Sequence, residues 1–215
     1  MRLPVIQQLM ARVDYEGIRK LLAQNPTLAN EGLPADEMNP IKAHPLHRIC
    51  DGVFAKTYTD EQAAAMAKIF LEHKANVNGY VLIEGKDSPL TAAASLHADE
   101  VAFLYIEYGA DIHHPGCHGG TALHWAAWCG RDRLVQRLLQ AGADINKRCF
   151  EYTSTPLVWA VHGYKFGGRE NRHHQLECAR MLLQAGADKN IPNKEGYKPV
   201  QFLEAEDADM MALLA

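Results

Sequence analysis

The sequence has no Cys-x-x-Cys pair, and its five cysteines (Cys50, Cys117, Cys129, Cys149 and Cys178) are odd in number. A disulfide framework is therefore not expected, and a reducing cytoplasm is the default compartment. Basic residues are not in excess: 22 Lys and Arg stand against 26 Asp and Glu, a formal net charge of −4. No nucleic-acid partner is expected, because phosphate contact demands a basic face. No run approaches ~18 apolar residues, so no membrane span is expected. Met1 to Glu16 has neither the apolar core nor the small-residue cleavage site of a signal peptide. A secreted effector without a cleavable signal stays compatible with that. Phosphate loops and nucleophile elbows are also missing: Gly167-Gly168 stands in neither Gly-x-Gly-x-x-Gly nor Gly-Lys-Ser/Thr. No cofactor and no enzymatic activity are expected. What remains is an ordinary folded composition, 47% hydrophobic and 22% charged over 215 residues, enough for one domain.

What is present is a repeat. Ala43-His44-Pro45-Leu46-His47 matches Asp87-Ser88-Pro89-Leu90-Thr91, Gly120-Thr121-Ala122-Leu123-His124 and Ser154-Thr155-Pro156-Leu157-Val158. A worn copy stands at Tyr197-Lys198-Pro199-Val200. A second phrase follows each of the first four, at Lys74-Ala75-Asn76-Val77-Asn78, Gly109-Ala110-Asp111-Ile112-His113, Gly142-Ala143-Asp144-Ile145-Asn146 and Gly186-Ala187-Asp188-Lys189-Asn190. The spacings of the first phrase are 44, 33, 34 and 43 residues. The base period is therefore about 33, with roughly ten extra residues in two units.

Each unit reads as two helices. Ser or Thr before Pro is an N-cap followed by a residue suited to the first helical position. Ala126-Ala127 and Ala92-Ala93-Ala94 allow close helix approach, and Gly130 and Gly142 end helices at positive φ. Leu134, Val135, Leu138 and Leu139 form an apolar stripe on the second helix. Gly119 through Asn146 resembles a near-consensus ankyrin repeat. The resemblance covers almost the whole chain, with Leu9–Asn30 similar to a degenerate first repeat and Asn193–Leu214 to a terminal one. It implies an all-α solenoid of about six helix-turn-helix units with finger turns. These are a capping repeat (1–42), a repeat with an insertion (43–86), two regular repeats (87–119 and 120–152), a second repeat with an insertion (153–194) and a C-terminal cap (195–215).

The resemblance also implies function: the fingers and first helices line a concave face that grips another protein, here by a monomer. Carried over by position, that face takes Leu96 from one repeat and His118 and Trp128 from the next. Glu151, Tyr152 and His162 follow, then Glu195 and Tyr197. Cys117, Cys129 and Gly163 are expected to be exposed there too. Trp128 is the expected anchor, because large aromatics bury wide areas with few rotamers to freeze. Trp125 and Trp159 stand where the family has a buried Leu and are expected in the core. His47 and His124 stand at the family's structural histidine, which ties finger to helix.

Two further readings come from the residues. His113, His114, Cys117 and His118 have zinc-ligand chemistry within six residues but no closed zinc spacing. A metal- or small-molecule-dependent protein is the alternative they raise, against a plain polar hairpin. The insertions, around Val53–Thr59 and Tyr164–His173, are expected as loops between helices. Phe54, Lys56, Tyr58, Phe166, Arg169 and Arg172 would form a second contact surface there, with Lys165, Arg169 and Arg172 meeting an acidic partner. The competing reading is two tolerated surface loops. Asp60 is expected to cap the helix that follows.

Overall fold

The computed structural model describes residues 3–215, which form two compact units, one of residues 3–82 and 88–111 and the other of 83–87 and 112–215. The first unit holds α1 (Val5–Ala11), α2 (Tyr15–Gln24), α3 (Pro45–Phe54), α4 (Asp60–Glu72), α5 (Pro89–Ser95) and α6 (Asp99–Glu107). A two-residue hairpin pairs Leu33 with Ala43 and Pro34 with Lys42. The second unit holds α7 (Ala122–Trp128), α8 (Asp132–Gln140), α9 (Pro156–Phe166), α10 (Arg172–Gln184) and α11 (Ala208–Leu214). In the last repeat, the first helix shrinks to a 3-10 turn, Pro199–Phe202.

Packing follows the two-helix logic. Within each unit first helices lie on first helices (α3 on α5, α7 on α9) and second helices on second helices (α4 on α6, α8 on α10). The caps are those the sequence announces: Ser88 Oγ accepts from the Thr91 N–H, and Thr155 Oγ1 from the Val158 N–H. Leu134, Val135 and Leu138 of α8 have no exposed surface, so each contributes roughly 1.5–3 kcal/mol of apolar burial.

The second phrase also has a physical role. The Asn30 carboxamide oxygen accepts the Asn76 N–H at 2.7 Å, Asn78 that of Asp111 at 2.8 Å, and Asn146 that of Asp188 at 2.9 Å. Each of these three asparagines therefore holds the first residues of the turn that follows by one side-chain bond.

Both insertions differ from expectation. They lengthen helices more than they open loops: α3 and α4 have 10 and 13 residues and α9 and α10 have 11 and 13, against 7 and 9 in α7 and α8. The connections that remain are short. Thr59, not Asp60, caps α4, in a reciprocal pair with Gln62. The Asp60 carboxylate instead accepts from the N–H groups of Glu100 and Val101 at 2.8 and 3.3 Å, where α6 has no side-chain cap of its own. A carboxylate is favourable there because it meets unpaired amides at the positive end of the helix.

The two structural histidines also part ways. His124 is buried, with Nδ1 accepting the Thr121 N–H at 3.1 Å and Nε2 donating to the Ser154 carbonyl at 3.2 Å. His47 does not bridge; it is half-buried beside Asp51 at 3.8 Å. His44 takes that task, capping α3 by accepting the Leu46 N–H while its Nε2 meets Asn30 at 3.0 Å. It can, because it occupies the N-cap position that Thr121 fills in the later repeat.

Two measurable consequences follow. Burial holds the His124 imidazole down at about 4, and His44 likewise, against an ordinary 6.5. Between those pH values the unfolded chain takes up protons that the folded one refuses, so stability is full above about 6.5 and falls as pH drops. Urea midpoints should therefore fall from pH 7 to pH 5. His124→Gln should be less stable at pH 7 yet show a shallower fall. The second consequence concerns Gly142, at φ +90, where an added Cβ would meet nothing within 4 Å. Gly142→Ala should thus cost about 1 kcal/mol through backbone conformation alone. Lys74 fills the same place in its repeat at φ +64, so Lys74→Gly should raise stability by a similar amount in the same urea titration.

Candidate functional site

Helix α7 has two turns, which puts Trp125 and Trp128, three residues apart, on one face. Trp159 and His162 hold the equivalent two places on α9. The rings converge: Trp125 and Trp159 have centroids 5.0 Å apart at 84°, and Trp125 and Trp128 6.5 Å apart at 79°. They line a cavity of about 470 Å³. His118, Tyr152 and Ser154 join from the finger segments, and Val158 from α9. Asn193, Glu195 and Phe202 join from the last repeat. The volume lies within the range of small-ligand pockets, roughly 300–1,000 Å³.

Close backbone approach makes this convergence possible. A Cβ on Gly163 would run into the Trp128 carbonyl oxygen, so only glycine lets α9 lie this near the end of α7. Gly163 is accordingly buried, not exposed on the face as the sequence suggested. The Trp128 carbonyl is held from the other side by the Gln175 side chain at 3.0 Å.

Polar groups around the cavity are largely paired with one another. Trp128 Nε1–H donates to His162 Nδ1 at 3.3 Å, which requires that nitrogen unprotonated. Burial lowers the His162 pKa in the same sense, and its ring packs on Phe166 at 4.5 Å. His118 Nδ1 lies 2.6 Å from Glu151 Oε2, and this hydrogen bond holds the Glu151 carboxyl below its usual range. Lys194 donates to the Glu151 carbonyl at 3.1 Å, its ammonium 6.0 Å from the Tyr152 ring centroid. Asn193 Oδ1 accepts from the N–H groups of Glu195 and Tyr197, at 3.0 and 2.9 Å.

Of the expected contact residues, His118, Trp128, Tyr152, His162 and Glu195 line one cavity, and Glu151 joins through His118. Tyr197 is half-exposed beside Phe202 and lines no part of it. Leu96 ends α5 in the first unit, half-buried, and is likewise not a lining residue. Trp159 is buried, with 7% of its surface exposed, as the sequence reading expected, and Trp125 is half-buried; both also line the cavity, which that reading did not foresee. The three-residue spacing to Trp128 was the available signal, and Phe202 and Asn193 had none. Cys129 is buried, so it is no surface thiol.

On the insertions, Phe54 and Phe166 are 65% and 60% exposed at the ends of α3 and α9. Lys56 and Arg169 are exposed as well. Tyr58 is not: it is buried, its hydroxyl donating to the Ile49 carbonyl at 3.2 Å. Lys165 and Arg172 are also committed inward. Lys165 Nζ reaches Glu204 at 2.7 Å and the buried Asp207 at 2.8 Å. Arg172 lies 3.3 Å from Asp207 and 4.7 Å over the Tyr164 ring. The acidic partner expected for these two cations is thus the chain's own last repeat.

Two of the four zinc-ligand candidates, His114 and His118, turn their rings to separate partners. His114 is buried, with Nε2 donating to the Lys86 carbonyl at 2.7 Å. His118 engages Glu151, and the backbone N–H of Cys117 donates to Asp87 at 3.0 Å. Among the described residues no three His, Cys, Asp or Glu side chains are grouped as a metal ion would need. No helix among them is long and apolar enough to cross a membrane.

The family model for ankyrin repeats (3 copies) matches residues 61–149 and 117–193, together more than half of the chain. The putative palmitoyltransferase ZDHHC13 of Danio rerio is 32% identical over 93 residues, 43% of this chain and 13% of that protein. Ankyrin repeat and SOCS box protein 5 of Mus musculus is 31% identical over 127 residues, 59% of this chain and 35% of its own length. The chain thus spans only a minor part of these relatives. With its stacked helix pairs, its recurrent caps and this match, the chain belongs to the ankyrin-repeat family, whose repeats serve as protein-interaction modules.

Proposed function

We propose that this chain is a non-enzymatic module, acting as a monomer, that grips a partner protein through the finger and first-helix residues of its second unit. The observation that carries the reading is the cavity walled by Trp125, Trp128 and Trp159. A partner side chain entering it would exchange water for several ring surfaces, which is how a few aromatic residues come to dominate an interface. Paired groups around it, His118 with Glu151 and Trp128 with His162, hold their side chains in place before binding. That lowers the ordering cost of association. The reaction named for the palmitoyltransferase relatives belongs to those proteins, of which this chain matches 13–14%.

Exposed Phe54, with Lys56, in the first unit and exposed Phe166, with Arg169, in the second favour a second, weaker reading, contact at the lengthened helix end of either unit. One comparison separates the two. Partner capture from native lysate should survive in the intact chain and be lost in a Trp128→Ala/Tyr152→Ala variant shown folded by circular dichroism. Trp128→Ala alone should weaken purified partner by roughly 30-fold or more, the effect of an anchor worth ~2 kcal/mol. Capture undiminished in that variant, but lost on Phe54→Ala/Phe166→Ala, would move the site to the helix ends.

A further inference from the structure

The chemistry of the cavity narrows what can enter it. Trp125 stands near a right angle to each of the other two indoles, at 84° to Trp159 and 79° to Trp128. Each of these pairs makes a corner. A flat guest stacks on one wall of a corner, whereas a compact tetrahedral group touches two or three. Aromatic faces carry the negative part of the ring quadrupole, so the corner favours positive charge.

The charges agree. No Lys or Arg is a lining residue, and Glu195 is the one carboxylate among them. Of the two lining histidines, His162 accepts the Trp128 N–H and is neutral while it does so, and His118 is paired with Glu151. One lining ring, Tyr152, already has the chain's own Lys194 ammonium 6.0 Å from its centroid.

Acceptors distinguish the kinds of cation. A primary ammonium has three N–H donors, and each must be satisfied when water is removed. Here Asn193 Oδ1 already accepts two backbone N–H groups, and the Ser154 hydroxyl donates to the Tyr152 carbonyl at 3.2 Å. The Glu195 carboxylate also takes the Asn193 Nδ2–H. Ser154 Oγ and the remaining Glu195 lone pairs can still accept, but Trp125, Trp128, Trp159, Val158 and Phe202 offer the N–H groups of a bare ammonium no side-chain acceptor. An ammonium whose hydrogens are replaced by methyl groups asks for no acceptor and presents apolar surface to the rings.

We propose that the cavity binds an N-methylated alkylammonium, presented by the partner protein as a methylated lysine side chain. The assignment rests on the protein-binding reading above and names the group its site recognises. Trp125 and Trp128 supply the main aromatic surface to the methyl groups, Trp159 only its small exposed part, and Glu195 supplies the counter-charge. The cavity's ~470 Å³ leaves room for the aliphatic stem beside the head.

The test uses the full chain with tryptophan fluorescence and calorimetry. Choline is compared with its neutral tert-butyl isostere, and a short peptide bearing one trimethyllysine with the same peptide bearing lysine. Choline should bind roughly tenfold or more tighter than the isostere, and the methylated peptide tighter than the unmodified one by a similar factor. Trp128→Ala should abolish both preferences. Glu195→Gln, an exposed change that keeps the fold, should weaken choline several-fold and leave the isostere unmoved. Equal binding of choline and isostere would overturn the proposal, as would no saturation by either, or equal affinity for the two peptides. If any of these occurs while Trp128→Ala/Tyr152→Ala still loses the partner from lysate, the protein-binding reading stands and only the ammonium assignment falls.

Discussion

One imidazole joins the two repeats that wall the cavity. His124 has no exposed surface; it accepts the Thr121 N–H at the start of its own helix and donates to the Ser154 carbonyl of the next finger. Its ring also stands edge-on to Trp159 at 5.3 Å. Helix α7 carries Trp125 and Trp128, and the finger that ends at Ser154 carries Tyr152. The relative placement of all three therefore depends in part on one neutral side chain. A charged imidazole would lose the acceptor at Nδ1 and bring a buried charge with no counter-ion among its bonded partners, which is why burial and these bonds agree on the neutral form.

Away from that joint, small side-chain links add to the apolar packing within each unit. The Asn30, Asn78 and Asn146 carboxamides each hold the amide of the turn that follows. Such bonds are worth about 1 kcal/mol each, but they set the spacing between repeats. The end of the second unit is fixed differently. Asp207 is buried between Lys165 and Arg172, and its burial is offset by their charges and by the Glu204 N–H. At this last described repeat a charged clasp stands in place of the carboxamide link.

The phrases repeated in the sequence announced the helix starts, the left-handed helix ends and the register of the stack, because each is a local requirement met by few residue types. Length was harder to place. Ten extra residues read as a loop when counted from phrase to phrase, yet Val53, Phe54, Tyr164 and Lys165 continue their helices. Tyr58 was misplaced for the same reason: a tyrosine in an assumed loop is a surface residue, whereas beside a lengthened α3 it packs back on that helix. Trp125 and Trp159 were hidden as lining residues by the resemblance itself, since a position that holds a buried Leu elsewhere invites a core assignment alone. Trp159 is buried as expected, yet both indoles also reach the cavity. The partners of Lys165 and Arg172 lie about forty residues further along the chain, beyond any local pattern.

Gly163 gives the face its gauge. Because a single methyl there would collide with the Trp128 carbonyl, the interval between α7 and α9 is set by a missing atom beneath the pocket and not by the rings that line it. Width and lining are thus separate variables. Exchanging one aromatic wall for another changes which surface a guest meets at constant aperture, whereas adding bulk at position 163 would open the aperture with every wall unchanged. A family diversifying this fold could retune the two independently, and a protein engineer wanting a larger guest would begin with the residue that never touches it.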